Sequence, residues 1–467
     1  MPQITKQITR EIIDDFAKEI HDRQAPGPKP SKTVINFRTE MQDGVERDVV
    51  RVPIAILRYR KDNGRIASDV KDYESNIGVL DEKSEQAQTV IEEFLKEKDP
   101  EKTAVLKSTL AHIGQQDPAI ITCDGFLVNG NRRKMVMEQL RREFTDDERH
   151  TYMKVVVLPG KGDEGGPPTL LEIEKLENRY QLQSDGKAEY YGYDRALSIK
   201  RKIEMGLSLE EQLKDDPLYA RATKAELAKA VKDYQENYLE PLECVDRYLK
   251  QFKREGQYRT ISTGMGDPEG RWQAFIDYSN TYRRSLCNPK KRIELDIEED
   301  IIGEIEEAAF DIIRLRTIPE ESKVHNIMRN LAKYCSTKDG KRAIVKISDK
   351  VDPVLPRNEL VDEHDEPISP NEVDAKWITK NQEEIIYNVK KAMKSYGQKK
   401  DKETPIGLLE AALKKLNHDD MDWSRIALVD TQKARGILHD IQVRADELDS
   451  ELFEFEKKLK KLGDKKK

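Results

Sequence analysis

The stretch ITCDGFLVNGNRRKMVMEQL, residues 121–140, decides how the first third of the chain folds. Extended, apolar residues stand on both sides of Asp124-Gly125, a dipeptide that accepts the backbone of a tight hairpin turn. PAIITCDGFLVNG (118–130) therefore predicts two short strands around that turn. From Asn131 the period changes, and NRRKMVMEQLRREF (131–144) repeats its apolar residues at helical spacing. The hairpin thus delivers Gly130 to the start of a helix whose first turn is Asn131, Arg132 and Arg133. Unpaired backbone N–H groups and the positive end of the helix dipole gather there. Acids are what local helix stability favours at that end, so two arginines point to an anion. Phosphate is the natural one, because its oxygens match a guanidinium fork. Gly130 would leave room for close backbone approach. The other reading, two solvated arginines after an ordinary turn, stays open on these residues alone.

Working outward, DVVRVPIAIL (48–57) and YMKVVVLP (152–159) read as strands, and TVIEEFLKE (89–97) and AVLKSTLAHIG (104–114) as helices, the latter with Gly114 as C-cap. The order β-α-α-β-β-α-β defines an α/β domain over residues 35–160. Ahead of it, Ile4, Ile8, Ile12, Phe16 and Ile20 mark an amphipathic helix, and RQAPGPKPSK (23–32) a linker, together residues 1–34. GKGDEGGPP (160–168) reads as a flexible loop. Beyond it the text is helical: a domain at 169–288, an extension at 289–350, a proline- and acid-rich exposed linker at 351–376, and a C-terminal helical domain at 377–467. The fold class expected is mixed α+β, with a small α/β domain followed by mostly helical ones.

A chain of 467 residues implies two or three domains, and 37% charged residues imply long solvated helices. The net charge of −7, from 82 basic and 89 acidic residues, argues against blanket attraction to nucleic acid but leaves a local basic face possible. No apolar run approaches the roughly eighteen residues of a membrane span, and the N-terminus carries acids where a signal peptide needs an apolar core. Four cysteines without a CxxC pair indicate a reduced, cytoplasmic protein with no zinc site in view.

Three further features complete the reading. In LEIEKLENRYQLQSD (171–185), Glu177 and Asn178 offer adjacent oxygens of the kind that suit magnesium on nucleotide phosphates, although such pairs are common. In SLEEQLKDDPLYARATKAELAKAV (208–231), Thr223 and Glu226 form a capping box at the start of a helix within a three-helix pattern that suits a helix-turn-helix. From Lys187 to Gly256 fourteen basic residues balance fourteen acidic ones, so DNA contact would need one basic face. Finally, Ala434, Leu438, Ile441, Ala445, Leu448, Leu452, Phe455, Leu459 and Leu462 step by four and three, a coiled-coil seam. It serves either packing within its own domain or pairing of two copies.

These features in this order resemble the ParB/sulfiredoxin superfamily, specifically ParB-like proteins with an N-terminal nucleotide-binding domain followed by a helix-turn-helix. Val52-Pro53-Ile54-Ala55-Ile56-Leu57 is similar to the family's first strand, and LKSTLAHIGQQDPAIIT (106–122), with Pro118, to its next helix and strand. Gly130-Asn131-Arg132-Arg133 resembles the Gly-x-Arg-Arg box, Leu176-Glu177-Asn178 the Glu-Asn box, and ALSIKRKIEMGLSLEE (196–211) the segment after it. The likeness covers residues 47–260. It implies a nucleoside triphosphate, CTP or ATP, with phosphates on Gly130, Asn131, Arg132, Arg133 and Arg65, and Mg2+ on Glu177 and Asn178. It also implies double-stranded DNA and a second copy of the chain as partners, with weak NTPase activity if any. Asn131 stands where partitioning proteins have Glu and sulfiredoxins a catalytic Cys, Gln181 stands where an Arg is usual, and residues 67–100 form an insertion. The departures mark a divergent branch, of the kind carried by mobile elements or phage-defence loci. An NTP-dependent kinase or nuclease with Asp124 or Glu177 as its acid, and a scaffold without chemistry, are the alternatives.

Overall fold

Proline and glycine between residues 24 and 32 do not make a linker. In the computed structural model, which describes residues 10–35, 37–38, 45–98, 100–145, 147–182, 192–216, 218–219, 221–261, 271–319, 323–362, 364–417 and 421–463, that segment is partly strand. After α1 (Asp14–Arg23), Ala25–Pro26 forms β1 and Lys32–Ile35 forms β2. β2 pairs antiparallel with β3 (Val45–Asp48), and β1 pairs antiparallel with β4 (Val50–Pro53). Pro26 is tolerated because β1 lies at the sheet edge, where a missing N–H costs no ladder bond. Ile4 and Ile8 of the expected first helix lie outside the described residues.

The main sheet runs β1-β4-β6-β5, where β5 is Ala119–Ile121 and β6 is Tyr152–Val157. β4 and β6 are antiparallel, β5 and β6 parallel. Ala119, Ile121 and Val155 pack into one core, and Ile120 and Val156 into a second on the opposite face, the period of two expected of a sheet covered on both sides. The first face is covered by α2 (Ala67–Asn76), α3 (Glu85–Glu97), α4 (Pro100–Ile113) and α5 (Asn131–Glu143) through residues such as Val70, Ile91, Leu110, Met135 and Leu140. The insertion at 67–100 is thus a layer of the domain. On the second face lies α6 (Leu170–Leu182), anchored by Ile173 and Leu176. α6 was expected in the helical domain starting at 169; its apolar stripe instead completes the α/β layer. The loop before it, expected to be flexible, is fastened by Arg38, whose guanidinium donates to Gly165 O, Gly166 O and Pro167 O and pairs with Glu172 at 2.8 Å.

α7 (Gly192–Glu204), α8 (Leu209–Lys214) and α9 (Lys224–Tyr234) share a small core of Ile199, Leu209, Leu213, Leu227 and Ala230. Both α8 and α9 start with a complete capping box, Ser208/Glu211 and Thr223/Glu226. α10 (Glu240–Gln251), α11 (Trp272–Thr281), α12 (Pro289–Leu295), α13 (Ile302–Leu315), α14 (Val324–Tyr334), α15 (Lys338–Lys350) and the start of α16 (Pro370–Leu416) belong to one larger core. That core runs from Tyr193 to Ala392, so the boundaries expected near 288, 350 and 377 do not separate it. Most described residues of 351–376 are exposed, as expected, but the segment is tied into the core at three points. Val351 and Leu355 are buried, and Asp374 is only 3% exposed because arginines from three other segments converge on it.

The chain divides instead into two compact units, Met1–Tyr396 and Gly397–Lys467. The second holds the rest of α16 and α17 (Thr431–Gly463). Trp272 and Trp377 are core residues, while Trp423 is exposed. Among the described residues no helix is long and apolar enough to cross a membrane.

Candidate functional site

The hairpin closes with Gly125 at φ +84° and opens α5 with Gly130 at φ +86°, both left-handed positions. A Cβ on Gly130 would sit 2.8 Å from Ala119 Cβ and 3.2 Å from Met153 Cε. The glycine is therefore required by the turn and by packing on the sheet, a reason other than the ligand approach that the sequence suggested. As N-cap, Gly130 provides no side-chain hydrogen bond, and the first turn of α5 holds no acid. Its leading N–H groups thus lack the usual capping oxygen. Asn131 is buried, and its Oδ1 has no hydrogen-bond partner. Arg133 donates to Asp117 O, and burial, offset only in part by the Asp117 charge, holds its guanidinium below the ordinary value. Arg132 is half-buried in the same turn. A cationic helix start fits a phosphate group, whereas the unpaired Asn131 Oδ1, an acceptor like the phosphate oxygens, adds nothing to that fit.

The chain before α2 runs beside this hairpin. Arg58 bridges Phe126 in parallel, with Arg58 N–H donating to Gly125 O and Leu127 N–H to Arg58 O. Arg58–Arg60 and Phe126–Val128 therefore travel in the same direction, one toward Gly64 and the other toward Gly130. At the end of the first path lies a buried ionic network. Arg60, 4% exposed, reaches Glu174 at 2.9 Å and Glu177 at 3.3 Å. Arg201 pairs with Glu174 and Asp62, each at 2.7 Å. Gly64 N–H donates to Glu177 Oε1 at 3.4 Å, which brings the turn holding Arg65 (Gly64–Ile66) against the Glu-Asn pair. Asn178 accepts from Lys202 at 3.0 Å and donates to Gln212 O at 3.0 Å. Burial, reinforced by Glu174, raises the Glu177 carboxyl against the pull of Arg60, Arg201 and Lys202, while burial lowers Lys202.

The expected site residues thus fall into two groups. Glu177, Asn178 and the Arg65 turn are in contact; Gly130, Asn131, Arg132 and Arg133 lie along the neighbouring strand path. Mg2+ does not fit the Glu-Asn pair as it stands. Their oxygens already face the cations Arg60 and Lys202, which a second cation would have to displace at the expense of two buried pairs.

Asp124, the other candidate acid, is fully buried. Its oxygens accept from Arg10 at 2.6 and 2.7 Å, from Thr122 Oγ1 at 2.7 Å and from Ile13 N–H at 3.1 Å. It fastens the start of α1 to the hairpin and is not positioned as a general base. Cys123 is partly buried, and desolvation together with Asp124 pushes its thiol up to about 11.

Between the hairpin and the network lies a cavity of about 200 Å3, lined by Arg10, Arg60 and Lys83, by Glu11, Asp62 and Glu82, and by apolar residues including Phe126. Its volume is below the roughly 300 Å3 at which small-molecule sites begin. Arg60, Glu174, Arg201 and Lys202 were not singled out from sequence. The one available signal was Glu174 standing three residues before Glu177 on the same helix face; their basic partners are far away in the chain. No family model, no curated protein and no solved structure matches this chain.

Proposed function

We propose that this chain is a DNA-associated switch that binds a nucleoside triphosphate, CTP or ATP, by its phosphates at the start of α5. The bound state is passed to α7–α9, which contact double-stranded DNA. The observation that carries the reading is the network that joins the α/β domain, at α6 and Arg60, to α7. Arg201 and Lys202 of α7 hold Glu174 and Asn178 of α6, while Ile199 of the same helix packs against α8 and α9. A change near Arg60 has a buried ionic path to the helix-turn-helix-like unit.

On α9 the exposed residues Ala225, Ala228, Lys229 and Lys232 fall at i, i+3, i+4 and i+7, one face that is small and basic. That face suits phosphate contacts in a groove. The C-terminal helices join two copies, so that two such faces act in one cytoplasmic, nucleoid-associated particle.

The test is duplex-DNA binding by fluorescence anisotropy with and without CTP or ATP. Nucleotide is expected to change the affinity by about tenfold or more, and Lys229→Glu with Lys232→Glu to weaken binding and lower the salt slope by roughly two. DNA affinity that is the same with and without nucleotide, and in the double variant, would contradict the proposal.

A further inference from the structure

α17 is 33 residues long, and its seam is open to solvent: Leu438 and Ile441 are 37% and 38% exposed, Leu452 and Phe455 53% and 57%. Four such residues on one stripe of one helix are a surface that another helix covers. The composition of the stripe and of its flanks specifies which helix. We infer that α17 pairs with α17 of a second copy in antiparallel orientation, centred between Asp446 and Glu447. This deepens the self-association in the proposed function and rests on that part of it alone.

In this register Leu438 faces Phe455 of the second copy, Ile441 faces Leu452, and Ala445 faces Leu448. Phe455 meets the smaller Leu438, Ala445 meets the larger Leu448, and Ile441 meets its isomer Leu452. A parallel pair would set Ala445 against Ala445 and Phe455 against Phe455, a gap and a crowded layer in the same core.

The flanking charges make the same choice. With the seam as a and d positions, Arg444 and Glu451 are both g positions, and Arg435 and Glu456 are both e positions. Antiparallel helices juxtapose g with g and e with e. A centre between Asp446 and Glu447 therefore places Arg444 across from Glu451 twice and Arg435 across from Glu456 twice. Shifting the antiparallel pair one heptad toward the C-terminus would instead face Glu451 with Glu451 and Arg444 with Lys458. The parallel arrangement would face Glu451 with Glu456, two repelling carboxylates. In the single chain Arg444 already reaches Glu451 at 3.2 Å and Glu447 at 2.8 Å along its own helix, so crossing to the second copy needs only a side-chain rotation.

The two orientations predict opposite signs for one substitution. Glu451→Arg turns two attractions into two repulsions in the antiparallel pair, and turns two repulsions into attractions in the parallel one. Sedimentation equilibrium of the full chain, with no nucleotide or DNA present, is expected to give a dimer that Glu451→Arg weakens by about tenfold and that Arg444→Glu with Glu451→Arg restores. Far-UV circular dichroism confirms that the helix content of each variant is kept. A dimer that Glu451→Arg tightens, or leaves unchanged, would overturn the inference. So would a monomer at every concentration, the result if the apolar residues of 397–416 in the same chain, such as Leu409 and Leu413, cover the seam. None of these results bears on nucleotide binding.

Discussion

Asp374→Ala is expected to lower the unfolding free energy by about 3–5 kcal/mol, the loss typical of removing one partner from a buried ionic cluster. Asp374 Oδ1 accepts from Arg254 at 2.8 Å and Arg314 at 3.1 Å, and Oδ2 accepts from Arg271 at 3.0 Å and Arg316 at 3.3 Å. One carboxylate thus serves four guanidinium groups, three of them at most 7% exposed. Backbone carbonyls and rings share the remaining charge: Arg271 donates to Thr260 O and Arg314 O, and Arg314 lies over Phe252 and Trp377 at 4.5 and 4.2 Å. Without the carboxylate those cations stay in the core with only carbonyls and rings to offset them.

The pH dependence follows from the same contacts. Burial acts to raise the Asp374 carboxyl, but Arg271, Arg254 and Arg314 outweigh it and hold it well below the usual carboxylate range. A carboxyl depressed on folding adds stability that is fully present above its unfolded value, about 3.9, and is lost as pH falls through the lower folded value. Urea unfolding followed by circular dichroism should therefore show the full deficit of Asp374→Asn at pH 7 and still most of it at pH 5. A midpoint close to wild type in either variant would contradict this account of the residue.

Arg60→Met is the second large effect, about 3 kcal/mol or more at neutral pH, because it keeps the packing of the stem while taking from buried Glu177 the guanidinium that pairs with it at 3.3 Å. Glu174 retains Arg201 at 2.7 Å, so Glu177 bears the loss. Its carboxyl, already raised by burial and by Glu174, rises further in the variant. A group raised on folding favours the folded state below its unfolded value and loses that contribution as pH rises through the folded one. The deficit of Arg60→Met should accordingly shrink as pH is lowered from 7 to 5. Adding Glu177→Met should recover part of it at pH 7, since an apolar pair replaces a buried carboxylate that has lost its ion pair with Arg60. Equal deficits at both pH values, or no recovery in the double variant, would contradict the network as described.

These two clusters also mark how far the sequence alone could be read. The hairpin, the helix beginning at Asn131, the C-cap at Gly114 and the capping box at Thr223 were all readable, because each depends on residues within a few positions of one another. The role of Arg60 was not, since its partners Glu174 and Glu177 lie 114 and 117 residues away. Asp374 was concealed for a second reason. Its neighbours are prolines and acids, a composition that reads as a solvated linker, and only the arginines that converge on it from three distant segments make it core. Gly130 shows a partial success: its position was identified, but the packing against Ala119 and Met153 that requires a glycine depends on β5 and β6 meeting. Glu177 and Asn178 stood out as a pair of oxygen-bearing side chains, yet the cations that face them, Arg60 and Lys202, could not be anticipated from a local motif.

The central claim is that the start of α5 binds a nucleotide's phosphates. Calorimetric titration of the full chain with CTP and with ATP tests it most directly, in wild type and in Arg133→Ala. The account predicts binding of one of them by wild type, with affinity reduced at least tenfold in Arg133→Ala, in line with the loss of a charge-assisted contact. Binding that Arg133→Ala leaves unchanged, or no binding of either nucleotide, would contradict it.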